Sequence, residues 1–126
     1  MGAKEFVSLR QRLQKTQKEM SQLLGVSLRA VQSFEQGWRA VPAHTERQVL
    51  FLWALKLRDG KEVRPCWTIK GCPPGRCERC PAWEFHAGDI CWFINGTMCR
   101  GQVQSTWAKK MKLCRSCEVF AKNMKL

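Results

Sequence analysis

The hydrophobic positions of the first 58 residues recur at the spacing of amphipathic helices. The positions that follow this spacing are Phe6, Leu9 and Leu13, then Met20, Leu23 and Leu24, then Ala30, Val31 and Phe34. A fourth helix is expected over residues 43–58, and its centre, residues 49–55, is apolar on every side. Because a helix in a small domain normally has a polar face, this one is expected to meet a second copy of the chain or the rest of the same chain.

Two of these helices carry start and stop signals. Thr16 followed by Glu19 is a capping box, in which side chains satisfy the free amides of the first turn. Gly25 allows a tight turn, Ser27 can cap the next helix, and Gly37 is typical of a helix end. Two short helices joined by a tight turn that contains glycine form a helix-turn-helix. The N-terminal half is therefore predicted to be a helix-turn-helix domain.

The same stretch resembles a known family of DNA-binding domains. The residues that carry the resemblance are Thr16-Gln17, Glu19-Met20, Leu24-Gly25-Val26-Ser27, Ala30-Val31, Phe34-Glu35-Gln36-Gly37, Arg39 and Pro42. In these positions the chain is similar to the phage-repressor and Cro-type domains (the XRE family), over roughly residues 4–58. The resemblance implies double-stranded DNA as the partner. It also suits a homodimer, because two-fold operators match two-fold proteins.

The outward face of the second helix of the motif is the candidate DNA-reading surface. If residues 27–36 form the recognition helix, its N-terminal end enters the major groove, where Arg29 can pair with a guanine and Gln32 with an adenine. The resemblance adds Gln17 as a phosphate ligand, and Arg39 is a second phosphate candidate. The candidate DNA-binding residues are Gln17, Ser27, Leu28, Arg29, Gln32, Ser33 and Arg39. The alternative is an ordinary solvated helix face.

The overall charge suits a polyanionic partner. The chain of 126 residues has a formal net charge of +12 and a pI near 9.8. Residues 1–60 hold ten Lys or Arg against five Asp or Glu, and residues 61–126 hold twelve against five, so the halves carry +5 and +7. A basic surface that never binds DNA is the alternative. Since no secretory signal or membrane-spanning run is recognised, a cytoplasmic protein without a membrane partner is expected.

The cysteines divide the chain into two parts. Residues 1–65 contain none, and all eight lie between Cys66 and Cys117. The sequence Asp59-Gly60-Lys61 indicates a helix stop and a short joint. Two domains are therefore predicted, a helix-turn-helix DNA-binding domain over residues 1–60 and a cysteine-rich domain over residues 61–126.

The cysteine spacing predicts a thiolate metal centre. The candidate ligands are Cys66, Cys72, Cys77, Cys80, Cys91, Cys99, Cys114 and Cys117. The two C-x-x-C pairs, at 77/80 and 114/117, are typical of structural zinc sites, although the insert between them is long. The spacing of the cysteines at 72, 77 and 80 is that of plant-type iron–sulfur ligands. An iron–sulfur cluster and zinc are therefore both retained as cofactors. Structural disulfides are the alternative, which a DNA-binding protein in reducing cytosol disfavours.

The middle of the cysteine-rich half is expected to form a β-hairpin. Residues 90–99 contain Asn95-Gly96, a two-residue turn signal, between apolar runs. With a two-residue turn, Cys91 and Cys99 face opposite sides; with one more turn residue they share a face. The predicted fold class is therefore a mainly α N-terminal helix-turn-helix domain followed by a small cysteine-rich α+β metal-binding domain with a β-hairpin.

Basic and aromatic residues accompany the thiols. Lys109 and Lys110 precede the last cysteine pair, and solvated lysines are the default interpretation. Partial compensation of thiolate charge and contact with the DNA backbone are the alternatives. The tryptophans of this half are expected to form an apolar shell around the centre; they are Trp67, Trp83, Trp92 and Trp107.

A second resemblance concerns function. From Cys66-Trp67 to Cys117-Glu118-Val119-Phe120, the layout of cysteines and tryptophans resembles a cysteine-rich module appended to bacterial sensor proteins. The leading hypothesis is a transcriptional regulator whose thiolate centre senses redox state or metal supply. The alternatives are a DNA-binding protein with purely structural zinc sites, and a cysteine-rich module for protein interaction or electron transfer. An enzyme is not expected, because His44, His86 and the scattered acids form no recognisable constellation.

Overall fold

The computed structural model of the chain describes residues 1–58, 64–73, 75 and 78–125. Its helices α1 to α8 are Ala3–Arg12, Gln17–Leu24, Leu28–Gln36, Ala43–Arg58, Cys66–Lys70, Pro81–Glu84, Trp107–Cys114 and Glu118–Met124. Two 3₁₀ turns lie at Cys91–Phe93 and Cys99–Gly101. The chain divides into two compact units, Met1–Lys56 and Leu57–Leu126, so the division falls in the last turn of α4. The joint predicted at 59–61 lies outside the described residues, as does Cys77.

Local sequence explains where α2 and α3 begin and end. The hydroxyl of Thr16 accepts from the amide of Glu19 at 3.1 Å, and the Glu19 carboxylate accepts from the amide of Thr16 at 3.1 Å, which forms the expected capping box. Ser27 caps α3 with its side-chain oxygen. Gly25 and Gly37 end the two helices in the left-handed conformation, with φ of 68° and 76°, where a Cβ would be unfavourable.

The core of the first unit is apolar and joins its four helices. Its buried side chains include Phe6, Leu9, Leu13, Met20, Leu24, Ala30, Val31, Phe34, Val49 and Leu50. The rings of Phe6 and Phe34 meet edge to face with their centroids 5.6 Å apart, and this contact joins α1 to α3. Leu23 follows the same helical spacing but is 46% exposed. On α4, Leu55 is likewise exposed, whereas Val49 and Leu50 are fully buried.

A polar network also ties α1, α2 and α3 together. The Glu35 carboxylate accepts hydrogen bonds from the Arg10 guanidinium and from the Gln17 amide. The same guanidinium donates to the carbonyl oxygen of Lys15 at 2.9 Å. The Glu35 side chain is only 8% exposed, so this ion pair is shielded from solvent. The network fixes the orientation of α3, because Glu35 lies in its last turn.

The predicted β-hairpin is wrong, and the α+β class of the second domain with it. The described residues contain no strand, and the only β-pairing found among them is an isolated antiparallel bridge between Thr97 and Gln104. A turn is present at Asn95-Gly96, but it joins no strands, and the paired residues lie on either side of Cys99–Gly101. Cys91 and Trp92 instead lie in a 3₁₀ turn, 8% and 1% exposed, and Trp92 packs against Trp107 and Phe120. This packing between distant parts of the sequence outweighs the local turn signal.

Aromatic packing and one ion pair hold the second unit. Trp92 is buried against the rings of Phe93, Trp107 and Phe120, with centroid distances between 5.9 and 6.4 Å. Arg58, at the end of α4, donates two hydrogen bonds of 2.7 Å to the carboxylate of Asp89. This bidentate pair attaches the last turn of α4 to the segment that leads into Cys91–Phe93.

The backbone at Gly88 closely approaches Pro65 and Trp67. A Cβ at this position would stand 2.6 Å from Pro65 Cβ and 2.6 Å from a Trp67 ring carbon. The amide of Cys66 donates to the Gly88 carbonyl oxygen at 2.8 Å, so the two segments are also hydrogen-bonded. Any side chain here would push the segment that carries Cys66 away from its neighbour.

Replacement of Gly88 tests this approach. Gly88→Ala should destabilise the protein by about 1–3 kcal/mol, since Pro65 and Trp67 must move to accept the methyl group. Gly75→Ala is the matched control, because a Cβ there has no atom within 4 Å. The measurement is urea unfolding of the full chain followed by tryptophan fluorescence. Equal midpoints for the two variants would contradict the close approach.

Candidate nucleic-acid interface and candidate metal centre

The outward face of α3 is open to solvent. Arg29 and Gln32 are exposed, Leu28 is 41% exposed and Ser33 is half-buried. Ser27 is also exposed, and its hydroxyl accepts from the amide of Ala30 at 3.0 Å, so it serves as the helix cap. The side chains predicted to contact base edges therefore share one free face at the N-terminal part of a capped helix.

The two predicted phosphate ligands have different surroundings. Gln17 is half-buried, and its amide nitrogen already donates to the Glu35 carboxylate. Arg39 is exposed, and its guanidinium carbon lies 5.7 Å from the centroid of the Phe34 ring. Arg39 is therefore held beside the end of α3 with its charge accessible. Gln17 supports the position of α3 through Glu35 and has its second amide hydrogen left for another acceptor.

Sequence reasoning missed Trp38 beside this face. Its side chain is 83% exposed, the largest value among the exposed large hydrophobic residues of the described chain. The amides of Trp38 and Arg39 both donate to the carbonyl oxygen of Ser33, so the loop after Gly37 folds back on α3. The only signal in the sequence was its place directly after the glycine that ends the helix.

The thiols of the second unit surround one cavity. It has a volume of about 370 Å³, and its walls include all seven described cysteines, Cys66, Cys72, Cys80, Cys91, Cys99, Cys114 and Cys117. These seven are free thiols. No three of the described Cys, His, Asp and Glu side chains converge closely enough to hold a single metal ion. The cavity thus brings together seven of the eight predicted ligands, and the eighth, Cys77, lies outside the described residues.

Short helices place these thiols. Cys66 begins α5, and Cys80 and Cys117 directly precede α6 and α8 without a side-chain capping bond. Cys91 and Cys99 begin the two 3₁₀ turns, and Cys114 ends α7. Amides at the start of a helix have no helical acceptor, so they are free to donate to sulfur. One such contact is present in a loop, where the amide of Met98 donates to Cys80 Sγ at 3.4 Å.

Three thiols have shifted acidity. The hydrogen bond from Cys91 lowers the pKa of Cys66 to about 7, against the opposing effect of burial. The same hydrogen bond, together with burial, raises the pKa of Cys91 well above its usual range. Burial raises the pKa of Cys114 to about 11. Of these three thiols, Cys66 therefore ionises most readily.

A buried cation lies among these thiols. Lys110 is 0% exposed, and its Nζ donates to Thr97 Oγ1 at 2.5 Å. After the hydrogen bonds and burial named above, its positive charge is a further influence on Cys66, Cys91 and Cys114, and it favours their anionic forms. The default interpretation of a solvated lysine is therefore wrong for Lys110. Its neighbour Lys109 is exposed, as expected.

Two of the predicted shell residues line the cavity. Trp67 and Trp83 meet edge to face with their ring centroids 4.8 Å apart, and both belong to the cavity wall. Trp92 and Trp107 instead pack against each other in the adjacent core. The tryptophans therefore separate into a pair at the cavity and a pair beside it.

Comparison with known proteins assigns the chain to no family. Neither a family model, nor a curated protein, nor a solved structure matches the chain. Within the described residues, no helix is long and apolar enough to cross a membrane. Function is therefore inferred from the two sites themselves.

The acidity of Cys66 can be tested on reduced, metal-free protein. A short pulse of iodoacetamide should alkylate Cys66 faster as the pH rises and reach a plateau above pH 7, because the thiolate is the nucleophile and its pKa is about 7. Alkylation of Cys114 should still be increasing near pH 10, since its pKa is about 11. Residue-resolved mass spectrometry measures both rates.

The matched variant is Cys91→Ala, which removes the hydrogen-bond donor to Cys66. In this variant the alkylation rate of Cys66 should reach its plateau at a higher pH. A plateau at the same pH in both proteins would contradict the assigned cause.

Proposed function

We propose that the chain is a cytoplasmic, sequence-specific DNA-binding transcriptional regulator. In this proposal the first unit binds double-stranded DNA as a homodimer, and the second holds a thiolate metal centre that senses redox state or metal supply. The observation that carries the DNA-binding part is the capped helix α3 with Arg29 and Gln32 on its free face. The proposal assigns no catalytic activity to the chain.

Several features of the first unit support DNA reading. The caps at Thr16 and Ser27 and the left-handed Gly25 fix the turn between α2 and α3, which sets the angle of a recognition helix. Arg29 takes no part in the Glu35 network, so its guanidinium is free to pair with a guanine. The net charge of +12 supplies the phosphate attraction that gives any DNA complex much of its affinity.

The donor set of the cavity supports the thiolate centre. Cysteine sulfurs are the ligands that zinc and iron–sulfur clusters prefer, and seven of them share one cavity. The buried cation Lys110 suits a group that is anionic once the thiols are ionised. Zinc and an iron–sulfur cluster both suit this donor set, and the cluster is our first candidate because the proposed function is sensing. Such a cluster supplies one-electron redox chemistry, whereas zinc has none.

The DNA-reading residues can be tested by substitution. Binding-site selection from random duplexes should return an inverted repeat, as expected for a homodimer. Arg29→Ala should weaken binding to that sequence by about 1–3 kcal/mol and relax the preference at one base pair in each half-site, because a bidentate guanine contact is lost. Fluorescence anisotropy at fixed salt measures the affinity.

Lys56→Ala is the matched control. Lys56 is also exposed and carries the same charge, but it lies on α4. Equal losses for the two variants, or an unchanged base preference in Arg29→Ala, would contradict base reading by α3.

The centre can be tested on protein purified without oxygen. Visible charge-transfer bands, with iron and acid-labile sulfide, are expected. Cys114→Ala should lose most of the bound metal, because Cys114 is a buried thiol of the cavity wall. Ser116→Ala is the matched control, since Ser116 lines the same cavity without a thiol. Absorption spectroscopy with metal and sulfide analysis gives the readout.

Other results of this experiment decide between the alternatives. A colourless protein with bound zinc would support a structural zinc protein and remove redox sensing. Equal metal content in the two variants would contradict the assigned site. If removal of the centre left the operator affinity unchanged, the sensing part of the proposal would be wrong.

A further inference from the structure

Lys110 is a lysine without any contact with solvent. Its side chain is 0% exposed, in the middle of α7. A buried ammonium group is strongly unfavourable unless an opposite charge or several acceptors replace its water. A lysine on a short surface helix normally avoids this penalty by extending its charged end into solvent. Lys110 does not, so its burial requires a partner.

The described protein offers Lys110 only a neutral partner. Its Nζ donates to Thr97 Oγ1 at 2.5 Å, and Thr97 is itself 0% exposed. Among the residues that the structure describes, no carboxylate pairs with Lys110. The buried carboxylate of the same unit, Asp89, is engaged by Arg58. The positive charge of Lys110 is therefore balanced by no carboxylate among the described residues.

Thr97 connects this charge to the cavity. The Thr97 hydroxyl also accepts a hydrogen bond from Cys99 Sγ at 3.4 Å, and both residues line the cavity wall. If Cys99 were a thiolate ligand of the proposed centre, the hydroxyl would donate to the sulfur while it accepts from Lys110. The Lys110 ammonium group would then donate to the Thr97 hydroxyl, and that hydroxyl would donate to the Cys99 thiolate. Both hydrogen bonds are strengthened by the charge of one partner.

We infer that Lys110 and Thr97 form the cationic anchor of the thiolate centre. Lys110 supplies the positive charge that an anionic metal–thiolate group needs in a buried site. Thr97 links the ammonium group of Lys110 to Cys99 by hydrogen bonds. Four thiolates around a divalent core leave a net charge of roughly −2, whether the core is zinc or an oxidised cluster. The inference rests on the proposed centre and names the residues that determine its stability and its reduction potential. Both are positioning residues, because neither is a ligand.

The anchor predicts opposite effects of one substitution in two states. Lys110→Met keeps the length and the apolar stem of the side chain but removes the charge. In the metal-free, reduced protein this substitution should raise the unfolding temperature, since an uncompensated buried cation disappears. In the loaded protein it should lower the unfolding temperature, because the centre loses its counter-charge. A residue that only filled space would shift both temperatures in the same direction.

Two further measurements follow on loaded protein. Metal release to a chelator should be roughly tenfold faster in Lys110→Met than in the wild type, whichever metal is bound. If the metal is iron, the reduction potential should fall, because the more negative reduced form loses more stabilisation. A tenfold change in the ratio of the two affinities equals a fall of about 59 mV for a one-electron couple.

The variants separate the anchor from the fold. Lys109→Met removes the exposed neighbouring charge and should change neither temperature. Thr97→Val should accelerate metal release, whereas Thr97→Ser, which keeps the hydroxyl, should release metal at the wild-type rate. This pair of variants also tests the anchor if Lys110→Met does not fold. Wild-type protein that binds metal, together with parallel temperature shifts in Lys110→Met and equal release rates for the Thr97 variants, would overturn the anchor alone. Wild-type protein that binds no metal at all would overturn the proposed centre.

Discussion

The helices of the second unit are too short to be stable on their own. Its helices α5 to α8 contain five, four, eight and seven residues, below the roughly 12–15 at which isolated helices become marginal in water. Six of the seven described cysteines lie at the ends of these helices and of the two 3₁₀ turns. A group that bound those thiols would fix the ends of six elements at once. If the proposed centre forms, it therefore contributes to the folding of this unit as well as to its chemistry.

The short helices of the first unit are stabilised by features that can be recognised in the sequence. Its helices are stabilised by an apolar core around Phe6 and Phe34, and α2 and α3 also by local caps at Thr16 and Ser27. Each of these signals acts within a few residues or repeats at helical spacing, which is why both helices and the turn between them could be predicted. The Glu35 network could not be foreseen, because it joins residues 18 and 25 positions apart.

The second unit was less predictable because its structure depends on long-range burial. Asn95-Gly96 is a strong local signal for a hairpin, yet Cys91–Phe93 forms a 3₁₀ turn in which Trp92 packs against Trp107 and Phe120. Lys110 gave no signal at all, since the sequence around it resembles an ordinary basic surface helix. The number and spacing of the cysteines predicted a shared thiol site. They could not indicate that a buried ammonium group would lie beside it.

The proposed sensing function requires that the thiols affect the DNA-reading unit, and the chain passes from one unit to the other within α4. Its residues up to Lys56 belong to the first unit, whereas Arg58 in its last turn binds Asp89, two residues before Cys91. If the proposed centre forms, any displacement of Cys91 acts on Asp89 through the backbone and on Arg58 through two hydrogen bonds. A structural zinc ion would leave this connection in one state. A cluster that gains an electron changes its charge, so of the two candidate groups it is the one that could report redox state.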